Sequence, residues 1–258
     1  AHARQRRDGL ARTTSPRGWA RADADTGGRV TLEGRLADRL QRVLGRIAEA
    51  ERAAARAPGE VKLVCVSKRQ PIEAIREAYA LGQRRFGENY AQELGEKAEA
   101  LADLTDVEWH FIGHLQSNKA KVVARWASVV HTIDSASVAR ELGRRRLALG
   151  LAPLAVLLEV NLGGEAQKHG MSAAELPEIA ARVAAEPALA LRGLMTVPPA
   201  GDREAARRVF STLRTLRNVA APSLPELSMG MSDDLDVAIA EGATYVRVGT
   251  AIFGERRA

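Results

Sequence analysis

The feature that most constrains this chain is an alternation. From Thr31 onward, short apolar runs and helix-like segments take turns eight times. The apolar runs are VKLVCV (61–66), RRFG (84–87), VEWHFIG (107–113), SVVHTI (128–133), LAVLLEV (154–160), LRGLMTV (191–197), PELSMG (225–230) and TYVRVG (244–249). Runs this short and this continuously apolar read as strands covered on both faces. The segments between them, such as PIEAIREAYALG and DREAARRVFSTLRTLRNVAA, carry helical periodicity. Strands separated by helices build a parallel sheet. Eight repeats favour closure into a (β/α)₈ barrel, and a length of 258 residues suits one. The competing architecture is an open doubly wound sheet, but no G-x-G-x-x-G follows the first strand. An additional amphipathic helix leads in, with Leu32, Leu36, Leu40, Val43, Leu44 and Ile47 on one stripe and Pro58-Gly59 as its breaker. The eighth helix has only AIFGERRA (251–258) to form in.

Charge separates this body from what precedes it. The formal net charge is +6, yet residues 1–29 hold seven Arg against three Asp, a surplus of four. The basicity is therefore concentrated in residues 1–30, a segment expected to be a disordered basic tail. Residues 31–258 are expected to form a single domain. A nucleic-acid role would want Lys and Arg clustered on a folded face, and no zinc-finger, helix-turn-helix or RNP pattern is present. Nothing in the chain is apolar for long enough to span a membrane. The tail's Asp residues argue against a transit peptide, and it has no apolar core of a secretory signal. The single cysteine, Cys65, lies inside an apolar run and reads as packing. These features together point to the cytoplasm.

In such a barrel, chemistry belongs at the C-terminal ends of the strands. Those ends carry Ser67-Lys68, Glu88-Asn89-Tyr90, His114 to Asn118, Asp134-Ser135, Asn161, Met195-Thr196, Ser228 to Ser232, and Arg247 to Thr250. Lys68 directly follows the first strand. The bland reading of any lysine is a solvated loop residue. At a barrel mouth, partial desolvation would instead lower its pKa and leave a neutral amine able to attack an aldehyde. A phosphate on the same molecule would need backbone N–H groups and small residues. Gly230-Met231-Ser232 before a helix, with Ser232 as an N-cap-type residue, and Gly249-Thr250 after strand eight supply them. Ordinary helix capping explains either segment alone; the two together favour phosphate.

Arg247 alternates with Val246 and Val248, so it points to the opposite side from them. Either it donates to a ring nitrogen or an anion, or it pairs with a carboxylate inside the barrel. His110 and His114 have a metal-like spacing, but they span a strand end without an acidic or cysteine partner in phase, so no metal is expected. NLGGEAQKHGMS lacks the end of a P-loop and reads as a lid or turn. Arg144-Arg145-Arg146 reads as a solvated helix face.

At these residues the sequence resembles the pyridoxal phosphate homeostasis protein family, single-domain relatives of the alanine racemase N-terminal barrel (fold-type III). The resemblance runs from about Leu32 to Glu255. It rests on VKLVCVSK, RRFGENYAQE, WHFIGHLQSNK, HTIDS, VNLGGEAQKHGM, LRGLMTV and LSMGMSDDLDVAIAEGATYVRVGTAIFG, in that order. It implies pyridoxal 5′-phosphate (PLP) held as a Schiff base on Lys68, and phosphate contacts from Ser228, Gly230, Met231, Ser232, Gly249 and Thr250. It also implies Arg247 opposite the pyridine nitrogen, which leaves the cofactor a poor electron sink. Asn89, His114 and Asn161 lie in blocks near the ring and lid, and His114 stands where many relatives carry Pro.

The function implied is cofactor handling in vitamin B6 homeostasis, with no catalytic residue. PLP-dependent acceptor enzymes are candidate partners and a monomer is expected. Alanine racemase brings its second acid/base group from a further β domain that this chain does not include, so efficient racemisation is not expected. A monomeric racemase and a barrel for another phosphorylated metabolite remain the rival readings.

Overall fold

The computed structural model of the chain describes residues 32–163 and 169–254. The expected tail at 1–30, and residues 164–168 of the Gly-rich segment after the fifth apolar run, lie outside the described residues.

All eight apolar runs form strands: β1 (Lys62–Val66), β2 (Arg85–Glu88), β3 (Glu108–Phe111), β4 (Val129–Ile133), β5 (Leu154–Glu159), β6 (Leu189–Met195), β7 (Glu226–Ser228) and β8 (Tyr245–Val248). They are parallel and paired in sequence order, and β8 pairs back onto β1 to close the barrel. The open doubly wound sheet is thereby excluded. The sixth strand sits two residues earlier than its apolar run suggests. Leu189 and Ala190 find partners in Leu154 and Ala155, whereas Pro198 and Pro199 at the other end have no N–H for the ladder.

The outer layer holds α2 (Ile72–Ala80), α3 (Ala91–Ala100), α4 (Ala120–Trp126), α5 (Ala136–Ala148), α6 (Leu176–Ala184), α7 (Arg203–Ala220), α8 (Leu235–Ala240) and α9 (Thr250–Phe253). The last is a single turn, too short to cover β8 and β1. The leading helix α1 (Leu32–Ala53) closes the gap by packing against α8, α9 and α2. Its stripe of Leu36, Leu40, Val43, Ile47 and Ala50 is buried; the side chain of Leu32 lies outside the described ones. Each fully buried leucine such as Leu40 contributes about 1.5–3 kcal/mol. Glu51, buried near the end of α1, accepts from the Gly59 and Val61 amides at 3.1 and 2.8 Å. That ties the extra helix to the entry of β1.

The helix stops before Pro58, because Ala55 already turns left-handed at φ +53°. Cys65 is fully buried, and burial pushes its thiol up to about 12, as suits a packing residue. Among the arginines at 144–146 only the first two behave as a solvated face, pairing with Glu141. Arg146 instead donates to the Ala124 and Ala152 carbonyls. Among the described residues no helix is long and apolar enough to cross a membrane.

Candidate functional site at the barrel mouth

Lys68 stands in the first turn after β1, half-buried, where Gln70 N donates back to Ser67 O at 2.9 Å. It lines one cleft with Val66, Gln70, Gly249, Thr250 and Gly254. The amine and the strand-eight half of the expected phosphate site are thus adjacent.

The backbone on both sides of Lys68 is clamped. Lys97 on α3 points its ammonium at three acceptors: Ser67 O at 2.7 Å, Glu88 Oε1 at 2.8 Å and Glu93 Oε1 at 2.7 Å. Ser67 Oγ donates to the same Glu88 oxygen at 2.6 Å, and Arg69 N donates to Glu93 Oε1 at 2.5 Å. Glu93 and Lys97 are four apart on one helix face, the spacing at which such a pair meets. Burial outweighs Lys97 at Glu88 and pushes that carboxyl up to about 7. The clamp holds Arg69 at φ +59°, a left-handed conformation that a side chain disfavours.

Arg247 enters the barrel interior and is nearly fully buried. Its Nη1 donates to Ser228 Oγ at 2.6 Å and its Nη2 to Thr196 O at 3.0 Å. Among the described residues no carboxylate lies at ion-pair distance, so the internal salt bridge is not what holds it. Burial lowers its pKa to about 10, which leaves it charged at neutral pH.

An arginine can only donate, so Ser228 Oγ accepts from Arg247. A hydrogen-bonded string continues below it: Ser228 Oγ lies 2.7 Å from His131 Nδ1, and His131 Nε2 lies 2.8 Å from His110 Nδ1, with the donor at each link set by the tautomers of the two imidazoles. His110 Nε2 faces Glu108 Oε2, 3.7 Å away at the other end of the barrel. Burial pushes both imidazoles below the usual range, His131 further because His110 and Arg247 add to it. Ser228 is fully buried, and its hydroxyl is hydrogen-bonded to Arg247 and within reach of His131.

The segment before α8 also differs from the sequence expectation. The N-cap position is Asp234, not Ser232, since the helix begins at Leu235. Asp234 Oδ1 takes the Met231 amide at 2.6 Å. Gly230 turns at φ +94°, and a Cβ there would come within 2.5 Å of the Ala238 side chain. Arg46 donates to Ser232 O at 2.8 Å, and Arg203 donates to Asp233 O. Gly230, Met231 and Ser232 thus form an anchored turn whose Met231 N–H is already engaged.

Among the described residues three buried oxygens at this end have no hydrogen-bond partner: Glu88 Oε2, Asn89 Oδ1 and Glu159 Oε2. Orphaned buried polar atoms are rare and mark strain or a ligand position. Asn89 was legible as a strand-end residue. Glu159, the last residue of β5, was not singled out, although it is the one charge in LAVLLEV. Burial, with Asp134 adding to it, pushes its carboxyl up to about 7. Lys97 and His131 were also missed, because their partners lie in other segments. The pair His110/His114 does not form a unit: His110 is in the interior string, and His114 is exposed at the mouth beside Asp134, 3.2 Å away. Asn161 N donates to Met171 O at 2.9 Å just after β5.

These residues suit a phosphorylated aldehyde: an amine beside a Gly-Thr turn, a charged donor-only arginine in the interior, and an unmatched amide oxygen buried at the end of β2. Comparison with known proteins points the same way. Residues 44–257 match the family model described as alanine racemase, N-terminal domain. A protein of Pseudomonas aeruginosa named pyridoxal phosphate homeostasis protein is 50% identical over 223 residues, covering 86% of this chain and 96% of that one. Its namesake in Escherichia coli K12 is 45% identical over 229 residues, covering 86% and 97%. The structure of PipY from Synechococcus elongatus, solved with PLP bound, superposes with a TM-score of 0.74 at 38% identity, covering 85% of this chain and 100% of that one. The chain belongs to the alanine racemase N-terminal domain family, within the branch whose members are named pyridoxal phosphate homeostasis proteins.

Proposed function

We propose that this chain binds PLP at the barrel mouth and serves intracellular vitamin B6 homeostasis, holding the cofactor without efficient turnover. The observation that carries the reading is the single cleft shared by Lys68, Gly249 and Thr250, in a chain whose relatives bear that name. When bound, PLP supplies an aldehyde that a neutral amine attacks reversibly. Lys68 Nζ is the amine that takes the aldehyde carbon. Gly249 and Thr250 receive the phosphate, together with the turn at Gly230, Met231 and Ser232. Arg247, aimed by Ser228 and His131, faces the ring nitrogen as a fixed positive charge and keeps it unprotonated. Asn89 offers its unmatched Oδ1 to the ring's polar substituents.

On this reading residues 31–258 work as one domain, as a monomer in the cytoplasm, and PLP-dependent acceptor enzymes are the partners to which cofactor is passed. The test is retention. Purified protein should keep a visible PLP absorbance through dialysis, and Lys68→Ala should lose it with an unchanged circular dichroism spectrum. Retention of the band in the variant overturns the assignment of the amine. Amino-acid racemisation at about 1 s⁻¹ or faster, within the ordinary enzyme range, would instead make the protein a catalyst.

A further inference from the structure

Three side chains at the mouth take no part in the machinery described so far. His114 follows β3, Asp134 follows β4 and His169 lies between β5 and α6. Each offers one ligand atom, and these atoms all lie within 4.8 Å of one another. His114 Nδ1 is 3.2 Å from Asp134 Oδ2. The two imidazoles are stacked with centroids 3.7 Å apart and planes 8° from parallel. Among the described residues Asp134 has no other hydrogen-bond or ion-pair partner.

The backbone is built to bring the two histidines here. Each adjoins a glycine that no larger residue could replace without displacement. A Cβ on Gly113 would come within 2.0 Å of Asn89 O, and one on Gly170, at φ +110°, within 2.9 Å of Asn161 N. His114 and His169 are both exposed, so their rings can turn at little cost and an ion can reach them. Zinc–nitrogen and zinc–oxygen bonds of about 2.0–2.2 Å put neighbouring ligand atoms roughly 3–3.5 Å apart. Closing from the present spread needs a shift of about 1 Å and an opening of the stack, so that both ring lone pairs converge.

We propose that His114, Asp134 and His169 bind one divalent transition-metal ion at the barrel mouth. Two imidazoles and a carboxylate suit a borderline ion such as Zn²⁺, Co²⁺ or Ni²⁺. Mg²⁺ and Ca²⁺ want oxygen ligands. With three protein ligands the ion keeps a position open to water or a small anionic ligand. It also joins the connections after β3, β4 and β5 at one point. The site shares no residue with the proposed cofactor contacts, so it stands or falls independently of them.

The experiment is a Co²⁺ titration of the full chain, followed by the ion's visible d–d absorbance, with stoichiometry from equilibrium dialysis and competition by Zn²⁺. One equivalent is expected to bind saturably and to be displaced by Zn²⁺ but not by Mg²⁺. The double variant His114→Ala/His169→Ala, and separately Asp134→Asn, should weaken binding at least about tenfold. Both keep the fold because the histidines are exposed and Asn is isosteric, which circular dichroism checks. Absence of saturable binding overturns the proposal. So does unchanged affinity in the double variant, which would place the ion elsewhere, for example at His2.

Discussion

The two ends of the barrel are built from similar residue types and arranged in opposite ways. At the floor, Lys62 Nζ sits 2.9 Å from Glu226 Oε1, and Glu226 Oε2 accepts from Thr244 Oγ1 at 2.6 Å. Arg85 pairs with Glu108 at 3.1 Å beside them. Both Glu226 oxygens are matched within the protein. At the mouth, among the described residues, Asn89 Oδ1 and Glu159 Oε2 are buried without partners, and Arg247 is buried without a carboxylate at ion-pair distance. A saturated polar cluster contributes to folding; an unsaturated one costs stability until a ligand completes it. The difference separates the residues that hold the barrel from those that use it.

The comparison can be broken by mutations at each end. The largest effect belongs to Lys97, the one mouth-side cluster with a dense set of acceptors. Lys97→Met leaves Glu88 buried and unpaired and should cost about 3–5 kcal/mol in urea unfolding. Lys97→Met/Glu88→Gln should recover most of that loss. If it does not, the clamp is not electrostatic.

Next comes Arg247→Met. Loss of a charge-assisted donor should weaken PLP binding by about tenfold to a hundredfold. The unfolding free energy should change by less than about 1 kcal/mol, because removing an unpaired buried charge offsets the two acceptors it orphans. The floor variant Glu226→Ala should do the reverse, losing about 1–3 kcal/mol of stability with PLP occupancy unchanged. A fall in occupancy would erase the division between the two ends.

Glu159 sharpens the contrast through pH. Its folded carboxyl is raised to about 7 from an ordinary 4.5, so the unfolded chain ionises first. The stabilisation relative to the ionised state is fully present below about 4.5 and is lost as pH rises through about 7. Glu159→Gln should remove that descent. In cofactor-free protein its stability should exceed wild type by on the order of 3 kcal/mol above neutral pH, and by little near pH 4. Equal urea midpoints across the range would contradict the orphaned carboxylate. The smallest effect is Arg69→Gly, which relieves a left-handed residue and should add about 1 kcal/mol.

How much of this could be read beforehand depended on whether a residue's partner was local. The eight strands were legible because a strand covered on both faces is an apolar run whatever it pairs with. The place of Lys68 at the mouth was legible because it follows such a run directly. Ser232 misled because Ser232, Asp233 and Asp234 are three consecutive N-cap candidates, and only the start of the helix at Leu235 chooses among them. The partners of the Ser228 hydroxyl were not legible because His131 is 97 residues away. The neighbours of His114 were not legible because Asp134 and His169 arrive from other loops. The fold is encoded in periodicity along the chain, and the site in contacts across the barrel.

The central claim is that Lys68 is where the mouth holds its ligand. Borohydride reduction of the PLP-loaded protein, followed by peptide mapping, tests it most directly. The account predicts one pyridoxyl phosphate adduct per chain, on the peptide containing Lys68. An adduct on another lysine, or none in protein that still carries PLP, would contradict it.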